Sequence, residues 1–200
     1  MKLLLVFNPH AAVGRSARLV TPVLAALETF ASVDLWRTSG PGDAVAMLQG
    51  ADLAGYDGVV AAGGDGTLFE VLNGLYAHAS AGRPPLGLVP VGTGNAFARD
   101  LGLMPGDWEK AVELIGQGQT RRADVGRVEM ADEAYYFLNI VGAGLPVDAM
   151  KTANRIKILG NSAYSLATLW HALKLRTHAL RVELDGDSLE MESLFVEVSN

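Results

Sequence analysis

The chain has 200 residues, 50% of them apolar and 19% charged, with a formal net charge of -6. This composition excludes a disordered chain, and the length suffices to bury a core in one large domain or two modest ones. The acidic balance argues against wholesale nucleic-acid binding, and the absence of cysteine excludes disulfides and thiolate zinc sites.

In chain order, short apolar runs alternate with helical patterns. Leu3–Phe7 reads as a strand and not as a signal peptide, because the apolar core is short and meets Asn8-Pro9 at once. A helix is expected near Arg15–Phe30, a strand over Val33–Arg37, and a helix near Asp43–Leu53. Strand Gly58–Ala62 precedes a helix over Leu68–Ala77; strand Leu86–Val89 precedes a short helix at Ala96–Leu101 and another at Trp108–Gly116. The strands are continuous apolar runs, as buried parallel strands should be, and the βαβα rhythm predicts an α/β fold with helices on both faces of a parallel sheet. The texture changes near Arg122–Asp124. Extended segments are expected at Asp124–Met130 and Tyr135–Val141, a helix near Ser162–Leu175, and a hairpin of Leu180–Leu184 and Leu189–Val198 around Asp185-Gly186-Asp187. This gives a nucleotide-binding-type α/β domain over 1–123 and a β-rich second domain over 124–200. No stretch reaches the roughly 18 uninterrupted apolar residues of a membrane span.

In an open parallel sheet, ligands bind beyond the carboxyl ends of the strands. Unusual loops follow the first, third and fourth strands there: Asn8-Pro9-His10-Ala11-Ala12-Val13-Gly14-Arg15, Gly63-Gly64-Asp65-Gly66-Thr67 and Pro90-Val91-Gly92-Thr93-Gly94-Asn95. Each leads towards a helix N-terminus, whose free N–H groups and dipole attract anions. Gly63, Gly64, Gly92 and Gly94 would let phosphate oxygens approach the backbone; Asn8, Thr93 and Asn95 offer hydrogen bonds and Arg15 positive charge. Asp65 makes sense beside phosphate if a divalent cation lies between them, since Mg²⁺ takes carboxylate oxygens, waters and phosphates. Thr67 and Glu70 fit a capping box; a direct ligand role for these residues stays open beside that reading. The P-loop, G-x-G-x-x-G, kinase and G-x-S-x-G patterns are missing, and the histidines form no metal-ligand spacing.

GGDGT with EVLNGL (Glu70–Leu75), then PVGTGNAFARDLGL (Pro90–Leu103), resembles the catalytic domain of diacylglycerol kinases and their sphingosine-, ceramide- and bacterial lipid-kinase relatives. GGDGT alone is shared with NAD kinases and phosphofructokinases; the opening VFNPHAAVGR is similar to the family's N-P-x-[AS]-G motif, with the glycine displaced by Ala12 and Val13. The resemblance implies an NAD kinase/phosphofructokinase-like first domain and an ATP-dependent kinase acting on a lipid hydroxyl at a membrane surface. It implies Asp65 and Asp124 in the Mg²⁺–nucleotide network, with Gly64, Gly66, Thr67, Thr93 and Asn95 at the phosphates and Asn8 and Arg15 facing the nucleotide. Lipid would enter a cleft bounded by the second domain, where Tyr164, Leu166, Leu169, Trp170 and Leu173 either wall the lipid or pack their helix on its own sheet. No nucleic acid or transmembrane segment is implied; a cytoplasmic protein with peripheral membrane association is expected, and a homo-dimer is open.

Two departures stand out. Ala96 occupies the place where many diacylglycerol kinases carry aspartate, which leaves the lipid acceptor open. The family's second domain normally continues further, and its D-D-G-type segment with the presumed general base does not occur before Asn200. The chain therefore reads as an N-terminal fragment, expected to bind nucleotide weakly and catalyse poorly. The alternatives are a non-catalytic nucleotide-binding module and a soluble-substrate kinase of the NAD kinase type, against which the absence of an Asn-Glu pair argues.

Overall fold

The computed structural model describes residues 1–78, 82–130, 133–144 and 177–200. These divide into two compact units, Met1–Asn139 and Ile140–Asn200. The expected helix over Ser162–Leu175, with its apolar stretch, lies outside the described residues.

The first unit is built on a parallel sheet of four strands, β1 (Lys2–Phe7), β2 (Ser32–Arg37), β3 (Gly58–Gly63) and β4 (Leu86–Pro90), in the order β2-β1-β3-β4. Burial follows position. The central strands β1 and β3 are buried throughout apart from Lys2, whereas the edge strand β2 is only half-buried and tolerates Asp34 and Arg37. Five helices connect and cover the sheet: α1 (Val20–Glu28), α2 (Asp43–Gln49), α3 (Asp65–Tyr76), α4 (Ala96–Asp100) and α5 (Trp108–Gly116). α1 packs on α5 and α2 on α3, the pairing expected when helices cover both faces of a parallel sheet. The core joins Leu4, Leu5, Val6 and Phe7 of β1 to Val59 and Val60 of β3, Val23 and Leu27 of α1, and Val71 of α3.

Several expected boundaries move: the helix expected to reach Leu53 ends at Gln49, the segment Tyr135–Val141 divides between strands Glu133–Phe137 and Ile140–Gly144, and two further shifts have a local cause. The single helix over Arg15–Phe30 is a 3₁₀ turn at Arg15–Leu19 followed by α1. Pro22 has no N–H to donate back to residue 18 and its ring crowds that carbonyl, so a regular helix cannot run through. Helix α3 begins at Asp65, three residues before the expected Leu68, because β3 extends to Gly63 and only Gly64 separates strand from helix.

A hairpin of β5 (Gly126–Met130) and β6 (Glu133–Phe137) belongs to the first compact unit. Its anchor is Asn73 on α3. The Asn73 Nδ2 donates to the Tyr136 carbonyl at 2.9 Å, and the Tyr136 N–H donates to Asn73 Oδ1 at 2.8 Å, so one side-chain amide stands in for a neighbouring strand. Tyr76 and Tyr136 stack beside it, and the Arg83 guanidinium lies over Tyr76.

In the second unit β7 (Ile140–Gly144) pairs antiparallel with β10 (Phe195–Ser199), and β8 (His178–Leu184) with β9 (Asp187–Ser193). Asp185 and Gly186 both take positive φ (51° and 95°), the geometry of a tight two-residue hairpin turn. The expected strand Leu189–Val198 is two strands. Ser193 bends the chain by donating its hydroxyl to the Phe195 carbonyl at 2.7 Å, and β10 leaves the hairpin to pair with β7.

Gly74 sits where α3 crosses α2. A Cβ there would lie 2.7 Å from Leu48 Cβ and 3.2 Å from the Ala44 carbonyl oxygen. Helix propensity alone would favour alanine by about 1 kcal/mol; overpacking costs about 1–3 kcal/mol and the backbone oxygen cannot swing aside. Gly74→Ala is therefore expected to lower the urea midpoint of the chain. A raised midpoint would show that the two helices separate freely.

Candidate functional site

The strand order reverses between β1 and β3. β1 leads to β2 on one side, and β3 leads to β4 on the other, so the loops leaving the carboxyl ends of β1 and β3 diverge and leave a crevice. A cleft of about 480 Å³ opens there. It is lined by Asn8, His10, Ala11 and Ala12 after β1; Ser39, Gly40 and Pro41 after β2; Gly64, Asp65, Gly66, Thr67 and Glu70 of the β3–α3 turn; and Gly92, Thr93 and Gly94 after β4.

Each wall is tied to the β3–α3 turn by hydrogen bonds. Asn8 Nδ2 donates to Thr67 Oγ1 at 2.9 Å, while Asn8 Oδ1 accepts the His10 N–H at 2.9 Å. The Val91 and Gly92 N–H groups both donate to the Gly63 carbonyl, at 3.1 and 2.9 Å. Asp65 Oδ1 accepts the Ala96 N–H at 2.7 Å, which joins the start of α3 to the start of α4. Glu70 Oε1 and Oε2 accept the Gly42 and Ala44 N–H groups, at 2.9 and 3.2 Å, at the start of α2. The loop after β2 is braced further by Ser39, which donates its N–H and hydroxyl to Asp43 Oδ2. Those two donors, the hydroxyl first, hold the exposed Asp43 carboxyl below its ordinary pKa.

Most of the sequence-derived site residues meet in this cleft: Asn8, Gly64, Asp65, Gly66, Thr67, Gly92, Thr93 and Gly94. Four lie elsewhere. Gly63 ends β3 fully buried, and its missing Cβ makes room for the Thr67 side chain instead of a ligand. Arg15 turns back on its own loop, donating Nε–H to the Ala12 carbonyl at 3.0 Å, and does not line the cleft. Asn95 is 1% exposed beneath the last loop, with Nδ2 donating to the Gly92 carbonyl at 2.9 Å and a positive φ of 51°. Asp124 is exposed and lies outside the cleft lining, and no cluster of three or more His, Asp or Glu able to hold a metal occurs among the described residues. The capping-box reading of Thr67 and Glu70 also gives way: Thr67 is 4% exposed and bonded to Asn8, and Glu70 caps the neighbouring helix instead of its own.

The wall at Ser39–Pro41 has no counterpart among the loops singled out from sequence. It also follows a parallel strand, so its position after β2 and the Gly40-Pro41-Gly42 run were the available signals. His10, Ala11 and Ala12 were quoted with their loop but given no role. Ala12 and Val13 hold positive φ (51° and 59°) before Gly14, so the displaced glycine of this loop is accommodated by left-handed backbone in non-glycine residues.

Among the described residues, the lining holds two carboxylates, Asp65 and Glu70, one imidazole, His10, and neither lysine nor arginine. Its hydrogen-bonding capacity comes from backbone N–H groups and from the exposed amino end of the twelve-residue α3.

Taken together, these features define an α/β protein of the class that receives ligands at a switch point outside the carboxyl ends of a parallel sheet. The chain belongs to the diacylglycerol kinase catalytic domain family, whose model matches residues 2–128. It is 37% identical to a Bacillus subtilis diacylglycerol kinase over 164 residues, covering 81% of this chain and 52% of that relative. It is 33% identical to a Staphylococcus haemolyticus diacylglycerol kinase over 193 residues, covering 95% and 56%. A crystal structure of a diacylglycerol kinase from Bacillus anthracis superposes with a TM-score of 0.72 at 32% identity, covering 100% of this chain and 64% of that one. The chain thus spans about half the length of these curated relatives.

Gly92 is where the turns touch. A Cβ on it would run into Gly64 Cα and stand 2.8 Å from both Gly64 N and Asn95 Oδ1. Gly92→Ala is expected to push the two turns apart and lower the melting temperature by roughly 2–4 °C per kcal/mol lost in a unit of this size; an unchanged melting curve would contradict this contact.

Proposed function

We propose that this chain is the nucleotide-binding part of an ATP- and Mg²⁺-dependent lipid kinase, one that transfers the γ-phosphoryl group to the hydroxyl of a diacylglycerol- or sphingosine-like lipid presented at a membrane surface. Family membership supports the phosphotransfer class, and no helix among the described residues is long and apolar enough to cross a membrane. The observation that carries the nucleotide reading is the charge pattern of the cleft among the described residues: backbone donors and a helix N-terminus, two carboxylates, and no lysine or arginine. Such a lining cannot neutralise a triphosphate by itself. Ordinary Coulomb repulsion from Asp65 and Glu70 would oppose the ligand unless it arrives with its own cation.

The donor set fits a cation carried in on phosphate better than a resident metal. Asp65 keeps Oδ2 free of the Ala96 bond, and Mg²⁺ is typically held by one or two carboxylates plus phosphates and waters. When bound, Mg²⁺ would neutralise charge on the transferring phosphoryl group. The chain's own contribution is positioning. The Gly64–Thr67 and Thr93–Gly94 turns present N–H groups to phosphate oxygens, while the Gly92 N–H is held by the Gly63 carbonyl, and Asn8 and Thr67 fix the spacing of the walls. Glu70 is engaged by two backbone amides and Asp65 by one, so neither is assigned the role of proton acceptor for the lipid hydroxyl.

Two substitutions separate fold from binding. A Cβ on Gly66 meets nothing within 4 Å, so Gly66→Ala is expected to keep the wild-type melting temperature. The added methyl group stands where phosphate would approach, and calorimetric titration with Mg·ATP should show affinity reduced about tenfold or more, equivalent to roughly 1.4 kcal/mol. Asp65→Asn keeps an oxygen for the Ala96 N–H but removes the charge. It is expected to leave the chain folded while flattening the Mg²⁺ dependence of ATP binding. ATP affinity in Asp65→Asn that still rises steeply with Mg²⁺ would overturn the cation role, and absence of any ATP binding by the wild-type chain would overturn the reading of the cleft.

A further inference from the structure

We infer that Glu70 is a positioning residue for nucleotide binding: its carboxylate holds the wall Ser39–Pro41 in place by capping α2, and it acts through that wall and not by touching phosphate or metal. This rests on the nucleotide reading of the cleft given above. Glu70 lines the cleft, so as a bare charge it belongs to the wrong sign for a polyphosphate site. The structure supplies a different use for it. Oε1 takes the Gly42 N–H and Oε2 takes the Ala44 N–H, so both oxygens are committed to amide donors that α2 itself cannot satisfy. Gly42 is the residue before α2 and has a φ of +84°, so α2 starts directly after the turn from Ser39-Gly40-Pro41, which lines the cleft. The helix side of that segment is fixed by Ser39 on Asp43, but the Ser39–Asp43 bonds are internal to the loop and do not connect it to the sheet's other turns. Glu70 makes that connection. It stands on α3, one turn after Thr67, and so joins the β2–α2 wall to the helix that also carries Asp65.

A charge role and a positioning role predict opposite signs. If Glu70 acted as a free charge facing phosphate, neutralising it would tighten Mg·ATP binding. If it ligated the metal, its loss would weaken binding only when Mg²⁺ is present. As the tether of the Ser39–Pro41 wall, its loss weakens nucleotide binding with and without Mg²⁺, because the wall loses its register in both cases.

The test compares the wild-type chain with Glu70→Ala and Glu70→Gln. ATP affinity is measured by calorimetry with and without Mg²⁺, and amide hydrogen exchange is followed at Gly42 and Ala44. Glu70→Gln keeps shape and one accepting oxygen, and it carries the test alone if the alanine variant does not fold. The expected result is ATP affinity reduced about 5- to 30-fold in Glu70→Ala, the range for losing one or two such bonds. A smaller reduction is expected in Glu70→Gln, the same fold-change with and without Mg²⁺, and faster exchange at Gly42 and Ala44. Tighter binding in Glu70→Gln, a loss confined to Mg²⁺-containing buffer, or wild-type affinity in both variants would overturn the tether while leaving the nucleotide reading intact. A wild-type chain that binds no ATP would overturn the nucleotide reading, and this inference with it.

Discussion

A strand becomes a helix across one residue. β3 ends at Gly63, α3 begins at Asp65, and the intervening Gly64 lies against Gly92 of the next loop with no side chain on either. Everything at the cleft depends on that compression. Because the turn is so short, the amino end of α3 stays at the level of the sheet's carboxyl edge, between the loops that follow β1 and β4. The polar side chains along the first turns of α3 can then reach sideways: Asp65 to the start of α4, Thr67 to Asn8, Glu70 to the start of α2. One helix thus ties three walls to its own turn, and the buried face of the same helix, Leu68, Val71, Leu72 and Leu75, fixes it to the core. Further along, Asn73 carries the β5–β6 hairpin on the same helix. Cleft geometry and core packing are therefore coupled through one element.

Much of this could be read from residues. The parallel sheet was legible because β1 and β3 are unbroken apolar runs, and the hairpin turn at Asp185-Gly186 because that pair readily takes positive φ. The glycine turns after β3 and β4 were legible as neighbours because both follow parallel strands at the same sheet edge, and they do meet at one cleft. What escaped was the direction of side chains whose role is set by tertiary distance. Glu70, three residues after Thr67, fits the local spacing of a capping box, yet its partners are 26 and 28 residues away in sequence, on another helix. Arg15 has the charge expected of a phosphate ligand, but a carbonyl three residues back captures it. Gly63 belongs to the same sequence motif as Gly64 and serves packing against Thr67 instead. A motif names which residues gather; it does not say which of them face the ligand and which hold the others still.

The departures from the family pattern acquire a physical setting. Ala96, where many relatives carry aspartate, contributes its backbone N–H to Asp65, so the carboxylate that remains in this cleft is oriented by the main chain at that position. The shifted glycine of the first loop is absorbed by Ala12 and Val13 in left-handed backbone, a strained choice for a β-branched residue that leaves Val13 95% exposed at the cleft rim. Both features sit within the span 2–128 that matches the family model.

The most direct test of a phosphate cleft organised by α3 is a titration of the ¹⁵N-labelled chain with Mg·ATP, read amide by amide. The account predicts saturable shifts concentrated at Gly64–Thr67 and Gly92–Gly94, with smaller ones at Ser39, Gly40 and the loop after β1. Shifts scattered over the outer helices, or confined to the β8–β9 hairpin while the glycine turns stay unmoved, would contradict it.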